Sequence, residues 1–238
     1  MGSGGFNVIF ENAMGNTLKN WLPVQKEIAK SNHTLSYDRL GIGKSDRVTT
    51  KRNAENMAKE LHELLGLLEV QPPYVYVGAS YGCFIMREYI HLFPDEVTGA
   101  VFVEPSHEDL FPTIEKLHAD TYEQFKELWQ LTASMSTEGY QKEWENYDDD
   151  CSVMRKLDFP DNIPVYIISS SRCSEKEQVI MNLQKEDIMA RCNLHKQWLD
   201  KSPLAKQFLT DKSGHNVADE EPELVVSIVE QLINQLFL

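Results

Sequence analysis

The chain has 238 residues, 42% hydrophobic and 25% charged, enough to bury one sizeable core in a single domain spanning 1–238. Its net charge of −14 repels phosphate backbones and anionic lipid, which argues against nucleic acid and membrane as partners, and no apolar run reaches the roughly 20 residues that span a bilayer. The four cysteines (Cys83, Cys151, Cys173, Cys192) lie far apart and lack metal-ligand spacing, so the expectation is a reduced, cytoplasmic chain with no metal site.

Residues 1–5 carry neither a basic nor an apolar leader segment and read as a linker, not a signal peptide. The run 6–11 reads as a short buried strand. Helical spacing follows over 16–31, with Leu18, Trp21, Leu22 and Ile28 apolar. A second strand is expected over 33–38, and Gly41 and Gly43 punctuate the loop after it. Met57, Leu61, Leu64, Leu65 and Leu68 then mark an amphipathic helix. Strands are expected at 74–77, 97–103, 164–168 and 207–210, and helices at 81–93 and 220–237. Strands alternating with helices imply a mostly parallel sheet of about six strands covered on both faces, an α/β fold. Residues 108–161 break the rhythm. They are rich in aromatics and hold no clear strand, so they read as a helical insertion.

Gly78-Ala79-Ser80-Tyr81-Gly82 matches G-x-S-x-G. About one chain in a dozen of this length would match by chance, so context decides. Here the motif follows the strand at 74–77 and opens a helix, the setting in which such a serine is thrust above a sheet as a nucleophile. Glycines two residues either side avoid collisions in so sharp a turn, and the helix N-terminus offers free N–H groups to a developing oxyanion. Of the seven histidines, His215 lies directly after the last expected strand, in Ser213-Gly214-His215-Asn216. Loops after parallel strands gather at one sheet edge, so His215 can meet Ser80 there and serve as general base. His33 and His91 read as structural, His62 as solvent-facing, and His118 and His195 as helical. His107, just past a strand end, stays open.

On these residues the chain resembles the α/β-hydrolase superfamily over nearly its whole length. The segment 37–45, Tyr-Asp-Arg-Leu-Gly-Ile-Gly-Lys-Ser, is similar to that family's Y-D-x-x-G-x-G-x-S loop, and 219–225 is similar to the opening of its last helix. The resemblance implies a serine nucleophile, an acid and a histidine in that chain order, under a helical lid. Three departures stand out. The usual H-G-x-x-G is replaced by Glu11-Asn12-Ala13-Met14-Gly15, leaving the backbone N–H groups of Ala13 and Tyr81 as the implied oxyanion hole. The family's first hairpin is missing, so the sheet should have about six strands or the chain is truncated. Cys173 stands roughly where most members keep their acid. Glu104, at the end of the preceding strand, is therefore the preferred acid, with Glu175 next and Asp109 and Glu177 behind.

The implied activity is cleavage of a small carboxylic ester through an acyl-enzyme, with no cofactor. Alternatives are a lactonase, a thioesterase, a carbon–carbon bond hydrolase, or a non-catalytic ligand-binding member of the fold. A serine at position 80 argues against epoxide hydrolase and dehalogenase chemistry, which the family performs with aspartate there. Residues 108–161 hold fourteen Asp and Glu against five Lys and Arg. If they roof the site, their field should disfavour anionic esters. The oligomeric state is not legible.

Overall fold

The structure is a computed structural model and describes residues 1–237, the side chain of residue 180 excepted. Six strands, β1 (Asn7–Glu11), β2 (His33–Ser36), β3 (Tyr74–Ala79), β4 (Val97–Val103), β5 (Val165–Ser170) and β6 (Lys206–Thr210), form one sheet in the order β2-β1-β3-β4-β5-β6. All five pairings are parallel. Parallel strands need crossovers, and helices supply them on both faces.

Alternation along the strands divides the core. Ile9, Tyr74, Tyr76, Phe102 and Ile167 face one side, packed beneath α2 (Ala54–Leu67) and α3 (Gly82–Leu92). Val8, Phe10, Val75, Val77, Val101 and Ile168 face the other, beneath α1 (Leu22–Ile28) and α11 (Pro222–Leu236). Both faces being covered, the central strands read as continuous apolar runs rather than alternating ones.

Several elements differ in detail from the sequence expectation. The helix expected at 16–31 is a 3₁₀ turn over Leu18–Trp21 followed by α1. The closing helix expected over 220–237 starts at Pro222 as α11, and a separate turn, α10 (Val217–Glu220), precedes it, because the residue before a proline is pushed out of the helical region; Glu221 has φ −137° and ψ 56°. Between β4 and β5 run four helices, α4 (Leu110–Leu117), α5 (Tyr122–Ser134), α6 (Glu138–Trp144) and α7 (Tyr147–Met154). Two more, α8 (Glu175–Met181) and α9 (Lys185–Gln197), lie between β5 and β6.

The chain leaves β1 toward β2 on one side and returns to β3 on the other. Such a reversal opens a crevice at the carboxyl ends of the strands, where ligands gather in open α/β sheets. The loops after β1 and β3, carrying Ala13 and Ser80, flank it. Among the described residues, no helix is long and apolar enough to cross a membrane.

Candidate active site

Ser80 sits on the turn between β3 and α3 with φ +50°, a left-handed conformation that costs a non-glycine residue about 1–3 kcal/mol. The flanking glycines make the turn possible. A Cβ on Gly78 would lie 2.0 Å from Sδ of Met86, and one on Gly82 would lie 2.5 Å from the carbonyl oxygen of Asn12. The second contact is with backbone, so the loop after β1 would have to move.

Register carries the neighbouring groups into place. Ala79 pairs with Val103, and the Ser80 N–H donates to the Val103 carbonyl at 3.1 Å, which sets Glu104 beside the turn. Glu104 also has a positive φ, +45°, and is 1% exposed. His215, in the loop after β6, spans the gap. Its Nε2 lies 3.0 Å from Oγ of Ser80 and its Nδ1 3.2 Å from Oε2 of Glu104.

Burial pushes the Glu104 carboxyl up, but the Arg191 guanidinium and the His215 contact outweigh it and hold the group at about 2. Glu104 is thus an anion at neutral pH and can only accept. The Nδ1 proton of His215 must point to it, leaving a lone pair on Nε2 toward the serine hydroxyl.

The other acids weighed from sequence stand elsewhere. Glu175 is exposed in the first turn of α8. Asp109 pairs with Arg155 at 2.8 Å. Glu177 closes a capping box with Ser174 and reaches Arg191 at 3.1 Å. His107 is buried against the Trp198 ring, and its Nδ1 accepts from the Asp109 N–H; burial first, then Arg87, depress it to about 3. His118 pairs with Asp187 at 2.7 Å.

A cavity of about 190 Å³ opens over Ser80 and His215. Ala13 and Tyr81 line it, along with Met14, Leu110, Phe111, Trp129, Tyr140, Trp144 and Tyr147, so α4 to α7 wall the site with aromatic rings. The Trp129 and Trp144 rings stack at 5.8 Å, and Trp144 stacks on Tyr147 at 5.4 Å. Lys176 and Arg191 contribute the positive charge on its walls. Carboxylates of 108–161 are absent from the lining: ten of the fourteen Asp and Glu there are exposed. The three buried ones are bonded, Glu108 to Arg87, Glu143 to Arg39 and Asp150 to the Tyr81 hydroxyl.

The loop after β1 is held by a network with no sequence signature. Arg39 binds Oε1 of Glu11 at 2.6 Å and Oε1 of Glu143, on α6, at 2.7 Å. It also donates to the carbonyls of Asn12 and Ala13 at 2.8 and 2.9 Å. Glu143 in turn accepts from the Gly15 N–H at 2.8 Å. Among the described residues, no group of three or more His, Cys, Asp or Glu side chains is arranged to hold a metal ion.

A family model described as the alpha/beta hydrolase fold matches residues 7–128, half of the chain, and the protein belongs to that family. It is 29% identical over 227 residues to the uncharacterized protein YqjL of Bacillus subtilis (strain 168), covering 94% of this chain and 82% of that one. Among solved structures it is similar to Cfl2 of Burkholderia cenocepacia, with TM-score 0.68, 14% identity, and coverage of 98% of this chain and 90% of that one. It is also similar to a thermophilic esterase from Thermogutta terrifontis, with TM-score 0.67, 14% identity, and coverage of 99% and 92%. At such identities the structural likeness establishes the fold alone.

Proposed function

We propose that the protein is a serine hydrolase that cleaves small carboxylic esters through an acyl-enzyme. One observation carries the reading: Ser80, His215 and Glu104 stand in hydrogen-bond sequence, at 3.0 and 3.2 Å, with Ser80 and His215 lining an aromatic-walled cavity and Glu104 buried behind them. Hydrolase chemistry in general is what the family and its esterase-like neighbours support.

The steps follow from the geometry. Oγ of Ser80 attacks the ester carbonyl carbon while its proton passes to Nε2 of His215. The carbonyl oxygen becomes an oxyanion, and the N–H groups of Ala13 and Tyr81, both on the cavity wall, are the donors assigned to it. Glu104 stays ionised and stabilises the imidazolium. The imidazolium returns its proton to the departing alkoxide as the carbon–oxygen bond breaks, leaving the acyl group on Ser80. Water then attacks the acyl carbon, gives a proton to Nε2, and the carboxylic acid leaves as Ser80 is reprotonated. The small cavity, below the roughly 300–1,000 Å³ of drug-sized sites, favours short esters.

The test is labelling with a fluorophosphonate, followed by a panel of p-nitrophenyl esters of increasing chain length. Covalent modification at Ser80 and activity that falls with chain length are expected. A protein left unlabelled is a binding member of the fold, not an enzyme of this type.

A further inference from the structure

Glu104 uses its two carboxylate oxygens differently. Oε1 accepts from the Ser170 N–H at 2.5 Å. Oε2 is shared: Nη2 of Arg191 lies 2.7 Å away and Nδ1 of His215 3.2 Å away. Arg191 comes from α9, is 5% exposed, and is tethered on its other side by Glu177 of α8 at 3.1 Å.

We propose that Arg191 is a positioning residue for this reaction, whose guanidinium holds the Glu104 carboxylate in place behind His215 and opposes its charge, leaving Nε2 of His215 to take the Ser80 proton. This rests on the reading of Ser80, His215 and Glu104 as a triad. Without Arg191 the buried Glu104 carboxylate keeps only the Ser170 N–H and His215 Nδ1 as partners, and its unopposed negative charge favours a proton on the imidazole. An imidazolium cannot accept the serine proton. Both Arg191 and His215 sit on one oxygen, so their nitrogens are within about 6 Å, a range over which one charge moves another group's titration by about one pH unit or more.

The neighbouring groups leave Arg191 to act. From α9, His195 is neutral: burial above all depresses it to about 3, and its Nε2–H donates to the Pro105 carbonyl at 2.8 Å. Cys192 of α9 and Cys83 of α3 are thiols, since burial pushes the first up to about 11 and the second well above its ordinary value. From α8, Glu177 is matched to Arg191 itself. Around the His215 loop, Glu220 accepts from the Gly214 N–H and Glu221 from the Thr210 and Ser213 hydroxyls. Lys176 lines the cavity.

The experiment compares Arg191→Gln, Arg191→Lys and Glu177→Gln with the parent chain. The readouts are kcat/KM for p-nitrophenyl acetate against pH and the titration of the His215 ring by NMR. Arg191→Gln keeps N–H donors but removes the charge. Its acid limb should move about one unit to higher pH, with roughly tenfold lower activity on that limb, recovery in alkali and KM within twofold. Arg191→Lys should restore the limb, and Glu177→Gln should move it the other way. A pH-independent loss in Arg191→Gln marks a merely structural arginine and overturns the proposal. So does a raised KM with an unmoved limb, which makes Arg191 a substrate contact. If Arg191→Gln fails to fold, a limb unmoved in Glu177→Gln overturns it alone. The ring titration reads without turnover, so a parent that leaves Ser80 unlabelled sinks the hydrolase reading separately.

Discussion

Ser80→Ala removes the hydroxyl that faces His215 and leaves the strained turn in place. Hydrolysis of p-nitrophenyl acetate should vanish while the circular dichroism spectrum is unchanged. His215→Ala should lose as much, and the double variant no more, because nucleophile and base act as one unit. Retention of a tenth of the activity in Ser80→Ala would falsify the assignment. Glu104→Gln should lower kcat by orders of magnitude with KM little changed, since the charge behind the imidazole goes and no substrate contact does. The same carboxylate bears on stability. Its folded pKa, about 2, lies below the ordinary 4.5, so it contributes stability above about pH 4.5 that is lost as pH falls toward 2. Urea melts at pH 6 and pH 3 should show the parent losing on the order of a few kcal/mol more than Glu104→Gln. Ser80 and His215 were legible as candidates because each sits in a local pattern, a glycine-flanked turn and a loop after a strand. Glu104 was one of four competing acids, since choosing among them needs the register of β4 against β3. Arg191 had no local signal at all: it meets Glu104 across 87 positions of chain, and the capping box Ser174–Glu177 beside it marks a helix start, not an ion pair.

Gly82 shows how one element constrains another. Its missing Cβ is the space into which the Asn12 carbonyl fits, so Gly82→Ala must displace the loop that carries Ala13. The expected cost is about a hundredfold in kcat, the scale of an ångström's misplacement near the reacting atoms, with fluorophosphonate labelling slowed in step. Labelling at the parent rate would mean that the Ala13 N–H takes no part. Most strands were visible in sequence as short, nearly continuous apolar runs, and the amphipathic α2 and α11 by apolar residues recurring at the helical period. α9 carries no such period, because the face it buries includes Asp187, Arg191 and His195, polar groups matched by His118, Glu104 and Ser169. A helix that buries charge is invisible to a reading that looks for apolar stripes. The break before Pro222 was written in the sequence as a proline, whereas Pro23 lies within the first turn of α1.

Across the whole molecule, the excess negative charge of 108–161 faces outward and the cavity wall holds Lys176 and Arg191 instead. The acidity of this segment is therefore a property of the outer surface, where salt screens it within about 8–10 Å. Discrimination between a methyl ester and the matched half-acid should be close to one and should ignore salt. A strong preference for the neutral ester that shrinks as salt rises would show the outer charge reaching the pocket. The Arg39 network sets a different limit, on inheritance. Glu11 ends β1 and Arg39 lies in the loop after β2, whereas Glu143 belongs to α6, yet all three are buried and meet with one guanidinium between two carboxyl groups. The segment 108–161 is thus not a freely exchangeable cassette. A chimera that takes 108–161 from a chain lacking a carboxylate at position 143 would leave the Arg39 guanidinium edge and the Gly15 N–H without their buried acceptor, a cost of about 1–3 kcal/mol for each donor left unsatisfied. Its melting temperature should collapse, and recover when that one glutamate is put back.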